Sequence, residues 1–137
     1  NRSQGMLLTW LTEYRGFYES VKTWITPEDF TTDFYREVAG LLFEQLEQGE
    51  ANPAKIIDHF EDPEQQKRAA GLFHTKIPVE SQEETKKAMR ETVGKVLEAS
   101  LEKSNRNLDP TDIAGLQQVI ERKRKLEGLD RLHISLE

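Results

Sequence analysis

The hydrophobic residues of this chain recur mostly at intervals of three and four, the spacing of one face of an α-helix. No stretch shows the alternation of β-branched and polar residues that is typical of a half-buried strand. The widest apolar stripe of the first half lies in residues 32–48. The pattern predicts an all-α fold with helices at residues 4–14, 15–24, 32–48, 52–60, 62–74, 81–104 and 110–128, and a short helical turn at residues 26–30.

The predicted helices are separated by clear start and stop signals. Several begin with a capping residue followed by proline, which suits the first helical position because its missing N–H is not needed there. The longest helix opens instead with the capping box of Ser81 and Glu84. Gly49 and Gly128 follow periodic stretches as helix stops. The cap–proline pairs are Thr26–Pro27, Asn52–Pro53, Asp62–Pro63 and Asp109–Pro110.

The organisation changes near Pro78, which disfavours helix at the residue before it and predicts a hinge there. Short helices with dense apolar residues precede this point, and two longer helices with sparser apolar residues follow it. We therefore expect a small helical-bundle subdomain at residues 1–80. A long helix and a C-terminal helical hairpin follow at residues 81–137. A lone hairpin buries little area, so its stability is marginal unless something packs on it.

Composition narrows the class of protein. The chain has 137 residues, a net charge of −6 and no cysteine. An acidic chain disfavours binding to nucleic acid mainly through phosphates, and the lack of cysteine excludes disulfides and thiolate metal sites. There is no apolar run of about 18 residues and no signal peptide. The chain does not begin with Met, which fits a fragment of a longer protein or a processed or tagged chain. Without an export signal, we expect a cytoplasmic protein.

Residue patterns that would indicate catalysis are weak. The three histidines, His59, His74 and His133, lack the spacing of a zinc site. The acidic residues of segment 44–64 fit a solvated surface, and the aromatic residues of the first third fit a core. There is no glycine-rich phosphate loop and no nucleophile elbow. We therefore expect a non-catalytic domain without cofactor or metal.

The end of the last predicted helix is more informative. Residues 122–125 form the densest basic cluster of this acidic chain. The helix dipole accounts for two or three of these charges. It does not account for the apolar residues before them on a hairpin with only one partner helix. Phosphate, an anionic membrane or an acidic protein surface could each contact the basic cluster. The pattern favours an interaction surface that includes Ile113, Leu116, Val119 and Ile120.

Two long segments carry a family resemblance. They are "MLLTWLTEYRGFYESV" and "DFYREVAGLLFEQLEQGEANPAKIIDHFEDPEQQKRAAGL". With the order of elements, namely a helical subdomain, a long helix and a terminal hairpin, they resemble the C-terminal domain of bacterial DNA primase of the DnaG type. The resemblance covers nearly the whole chain. The tail "LDRLHISLE" has no clear counterpart in that family.

The resemblance implies a non-catalytic module of a primase, the enzyme that makes RNA primers. Its hairpin would dock on the N-terminal domains of the hexameric replicative helicase at the bacterial replication fork, recruiting primase into the primosome and modulating the helicase. The module would be a monomer alone, in the cytoplasm, without strong nucleic-acid binding or membrane contact. Carried onto this sequence, the docking residues are Ile113, Leu116, Gln117, Ile120, Lys123, Arg124 and Leu126.

Three other functions remain open at this point, of which an enzyme has the least support in the residue patterns. The N-terminal collar domain of a replicative helicase has a similar helical fold, also ends in a hairpin, and would self-associate through it. A nucleic-acid binder could act through the basic residues at the end of the last helix, although the net charge of −6 argues against it.

Overall fold

A computed structural model describes residues 2–78 and 81–137 of the chain. The described residues form an all-α fold, as predicted, with two short 3-10 turns at Pro27–Asp29 and Leu129–Arg131 and no strand. The α-helices are α1 (Arg2–Glu13), α2 (Arg15–Val21), α3 (Asp33–Glu47), α4 (Pro53–His59), α5 (Pro63–His74), α6 (Gln82–Arg106) and α7 (Ile113–Glu127).

Side-chain caps explain where most of these helices begin. The Asn52 side chain accepts a hydrogen bond from the Lys55 N–H at the start of α4. Asp62 accepts one from the Glu64 N–H at the start of α5. Each cap satisfies a backbone donor that has no partner within its helix. These two predicted starts are confirmed.

Ser81 makes one of the two bonds of its predicted capping box, and Gly49 ends α3 as predicted. Ser81 Oγ accepts a hydrogen bond from the Glu84 N–H at 3.2 Å, where α6 begins. Gly49 follows α3 with a φ of +112°, a backbone conformation that residues with a β-carbon rarely adopt. The sequence therefore locates the opening of α6 and the end of α3 through local chemistry alone.

The predicted start of the last helix is wrong by one turn. Asp112, not Asp109, caps α7 and accepts a hydrogen bond from the Gly115 N–H at 3.0 Å. Asp109 closes the preceding turn by accepting from the backbone N–H and the hydroxyl of Thr111, at 2.9 and 2.8 Å. These bonds hold the pKa of the Asp109 carboxyl below its ordinary value. An Asp–Pro pair favours a turn as well as a helix start, and here the turn forms.

The core is a single hydrophobic cluster that spans both halves of the chain. From α1 it takes Leu7, Leu8 and Leu11, each no more than 1% exposed. The aromatic residues of the first third belong to it as predicted, with edge-to-face contacts such as Trp10 on Phe17 at 6.2 Å between ring centroids. The aromatic residues are therefore explained by packing.

Helix α6 belongs to this core along most of its length. Met89, Val93, Val96 and Leu97 are each no more than 1% exposed and lie in the same cluster as α1. The last buried residue of α6 is Ser100. The boundary predicted at residue 80 therefore does not separate two cores, because α6 shares the core of the first half of the chain.

The tail after α7 returns to the bundle in extended form. Leu132 and Ile134 are buried in the core and Leu136 packs against it, whereas the residues between them are exposed. The Arg90 guanidinium donates two hydrogen bonds to the Leu132 carbonyl, at 3.2 and 3.1 Å. Residues 129–137 therefore anchor the end of α7 to the rest of the chain.

We expect Gly16→Ala to displace this tail and to lower the free energy of unfolding by about 1–3 kcal/mol. A β-carbon at Gly16 would lie 2.7 Å from the Ser135 carbonyl oxygen and would also collide with that of Glu137. Urea unfolding measures the change. Gly40→Ala is the control, because a β-carbon there meets no atom within 4 Å and should stabilise α3 by about 0.5–1 kcal/mol. Equal effects of the two variants would contradict the position of the tail.

Candidate protein-docking surface

Helix α7 has an inner side that packs on α6. Val119 is 5% exposed. Gly115, Arg122 and Leu126 are partly buried. These positions recur at intervals of four, three and four, which is one face of a helix. The apolar pattern of the sequence predicted that Val119 lies on the interaction surface with Ile120. The structure corrects this, because one residue step turns a helix by about 100° and puts the two side chains on different sides.

The outer side of α7 carries exposed apolar residues. Ile113 is 70% exposed, Ile120 is 49% and Leu116 is 36%. Within residues 2–78 and 81–137 these three are the only large hydrophobic side chains classed as exposed. We call them the outer stripe. Removing an apolar patch of this kind from water lowers the free energy of the complex. The outer stripe is therefore a candidate docking surface.

Polar and basic residues border the outer stripe. Gln117 is exposed beside it, and Lys123 and Arg124 are exposed one turn further along α7. Six of the seven docking residues carried over from the family thus lie on or next to the exposed side of one helix.

Leu126 does not belong with them. It is partly buried and packs against the hydrophobic core. Leu126 follows Leu116 by ten residues, which turns its side chain about 80° backward from Leu116 around the helix, away from Ile113 and Ile120. Its apolar character serves the fold, and the sequence could not show this because both faces of α7 carry apolar residues.

The basic cluster is also divided by the fold. Arg122 turns inward, and its guanidinium Nε donates to Asp29 Oδ1 at 2.9 Å. The Arg122 side chain is 13% exposed and that of Asp29 is 4% exposed. Of the four basic residues at positions 122–125, only Lys123 and Arg124 are exposed; these are the two predicted as docking residues.

Asp29 is the residue that sequence reasoning missed. In the sequence it is simply one of two acidic residues within the predicted helical turn at residues 26–30. In the structure its Oδ2 accepts from the Thr26 N–H at 2.9 Å, completing a capping box. That leaves Oδ1 for Ser100 and Arg122, which contact it at 2.7 and 2.9 Å. No local sequence signal indicates partners 71 and 93 positions away.

Other chemistry in the described part of the chain is sparse. His59 Nε2 lies 3.4 Å from Glu37 Oε2, and both side chains are nearly half exposed. The described residues contain no group of three or more His, Asp or Glu residues arranged to hold a metal ion. None of the described helices has the length and apolar character that a membrane crossing requires.

Comparison with known proteins does not assign the chain to a family. Protein-family models, curated proteins and solved structures were compared, and none of them matches it. Any functional proposal therefore depends on the resemblance of the two long segments and on the physical character of α7.

We expect Val119→Ala and Ile120→Ala to differ sharply in stability although they are neighbours. Val119 is buried on the α6 side, so losing two methyl groups should cost about 1–3 kcal/mol of unfolding free energy. Ile120 is half exposed, and its truncation should change stability by less than about 0.5–1 kcal/mol. Urea titration of both variants measures this. A larger loss from Ile120→Ala would mean that α7 is rotated from the orientation described.

Proposed function

We propose that this chain is the helicase-binding C-terminal domain of a bacterial DNA primase of the DnaG type. It would dock through the outer stripe on the N-terminal domains of the hexameric replicative helicase, recruit primase to the replication fork and modulate the helicase. The family resemblance of the two long segments suggests the partner. The observation that carries the proposal is that the exposed large apolar side chains are concentrated on one side of α7.

The dimensions of α7 suit this role. A helix of 15 residues is about 22 Å long, and the outer stripe spans its first half. A specific protein interface buries about 1,200 Å² or more in total. The outer stripe with its polar neighbours and the loop before α7 can provide the apolar centre and part of the rim of such an interface.

Charge suggests how the two proteins meet. Lys123 and Arg124 are exposed cations beside the outer stripe, in a chain whose net charge is −6. A partner with an acidic margin around an apolar site would be attracted to this end of α7 and repelled by most of the remaining surface. Charges at the rim raise the association rate and fix the register more than they raise affinity.

The proposal assigns no chemical step to this domain. Binding alone would be its contribution, and primer synthesis would belong to other parts of the parent primase. No cofactor is needed for a contact built from apolar side chains and two cations. The domain by itself is proposed to be a monomer in the bacterial cytoplasm.

We expect Leu116→Asp and Ile120→Asp each to weaken helicase binding by at least about ten-fold, because each buries a charge in the apolar centre of the interface. Size-exclusion chromatography with light scattering and isothermal titration with the helicase hexamer measure this. Ala114→Asp is the control, because Ala114 is exposed on the same helix and points about 100° away from Ile113. A negative charge is favourable in the first turn of a helix, so this variant should not destabilise α7. Deleting α7 is a poor test, because Leu132 and Ile134 would leave the core.

Three results would contradict the proposal. Equal losses from Leu116→Asp, Ile120→Asp and Ala114→Asp would count against an apolar docking centre. A stable multimer of the chain alone, dispersed by Ile120→Asp, would favour the self-associating helicase collar. Binding to single-stranded DNA without binding to the helicase would favour the nucleic-acid function.

We expect Arg124→Ala to reduce helicase affinity by only about two- to five-fold, mostly through a slower association rate, since an exposed rim charge contributes about 0.2–1 kcal/mol. Stopped-flow association at low and at physiological salt measures this. The variant should also depend less on salt than the unaltered chain. A slower rate that is the same at both salt concentrations would contradict a rim role for Arg124.

A further inference from the structure

The ion pair between Asp29 and Arg122 joins the first quarter of the chain to its last helix. The residues are 93 positions apart, and their nearest charged atoms lie 2.9 Å from each other. Both side chains are largely removed from water. The pair links α7 directly to the short turn at Pro27–Asp29, which lies in the first quarter of the chain.

Further hydrogen bonds make the ion pair part of a closed network. Ser100 Oγ donates to the same carboxylate oxygen at 2.7 Å. Arg122 Nη1 donates to Ser104 Oγ at 2.7 Å. Within the described residues, no fully buried side-chain nitrogen or oxygen lacks a partner. The network therefore connects the Pro27–Asp29 turn, α6 and α7 with directional bonds.

The position of Arg122 around the helix relates this network to the outer stripe. Arg122 follows Ile113 by nine residues, which is two and a half turns of α-helix. Its side chain therefore leaves α7 on the side opposite Ile113. In the structure Arg122 bonds to the bundle while Ile113 and its neighbours face outward, so the network and the outer stripe lie on opposite sides of α7.

Energetics indicate that the network serves orientation more than stability. Burying two charges costs desolvation, and apolar side chains of similar size often stabilise as well or better. The apolar contacts of Val119 and Leu126 also hold α7 in place, but apolar burial is non-directional, whereas hydrogen bonds require a defined geometry. The directional bonds of the guanidinium restrict α7 to one orientation.

We propose that Asp29 and Arg122 are positioning residues for the outer stripe. They hold α7 in the rotation that presents Ile113, Leu116 and Ile120 to a partner, without touching that partner themselves. The effect on helicase binding rests on the proposed function, whereas the orientation of α7 does not. When the pair is broken, α7 samples several rotations, and affinity falls in proportion to the fraction that presents the outer stripe.

Paired spin labels test the orientation without any partner. The chain has no cysteine, so Ala114→Cys on α7 and Lys67→Cys on α5 introduce just two labelling sites, both exposed. The label-to-label distance distribution should be narrow in the otherwise unaltered chain. It should broaden or shift in Arg122→Met and in Asp29→Asn. Arg106→Met, an exposed arginine on α6, is the matched control and should leave the distribution narrow.

The double variant Asp29→Asn/Arg122→Met shows whether the two residues act together. If they do, the distance distribution and the helicase affinity of the double variant should match those of Arg122→Met alone. If a tenth of the molecules of either variant present the outer stripe, that variant should bind helicase about ten-fold more weakly than the unaltered chain. Asp29→Asn retains an oxygen for the Thr26 cap, so it remains informative if Arg122→Met loses helicity by circular dichroism.

The results separate this inference from the proposed function. Unchanged distances in both single variants would overturn the positioning role, even with helicase binding intact. If the distances broaden in the variants but the unaltered chain does not bind helicase, the positioning role is supported and the helicase proposal is contradicted. Losses that add up fully in the double variant would mean that Asp29 and Arg122 act independently, which overturns the pair as a unit.

Discussion

The packing of α6 against α1 is the constraint on which the rest of the structure depends. Met89, Val93 and Leu97 enter the same core as Leu7 and Leu11. This contact brings the second half of the chain into the bundle and supplies the side of α6 against which α7 folds. Without it, α6 and α7 would form a hairpin with one narrow apolar seam, which is marginally stable in water. With it, α6 is fixed over most of its length.

A fixed α6 gives α7 two sides with different roles. The inner side supports the fold through Val119 and Leu126, and the outer side leaves Ile113, Leu116 and Ile120 in water. Three exposed apolar residues on a single helix face lower solubility, and their concentration in one place is typical of a surface that a partner covers. The tail at Leu132 anchors the far end of α7, so the outer stripe is carried by a supported helix.

The basic residues at the end of α7 show how one cluster can divide between two roles. Arg122 is neutralised inside the molecule by Asp29, while Lys123 and Arg124 remain in water. An arginine suits the inner position because its planar guanidinium can bind Asp29 and Ser104 at the same time. A lysine offers a single charged centre and could not span both in the same way.

The sequence alone determined the all-α class and most helix bounds, because caps, prolines and apolar spacing act between residues close in the chain. It could not separate Val119 from Ile120, or Leu126 from Leu116, because both faces of α7 are partly apolar. It also could not find Asp29. Tertiary structure decided these points. The rotation of α7 about its own axis depends on contacts with α6 and with the Asp29 carboxylate, 93 positions from Arg122. Such contacts leave no periodic signal in the sequence.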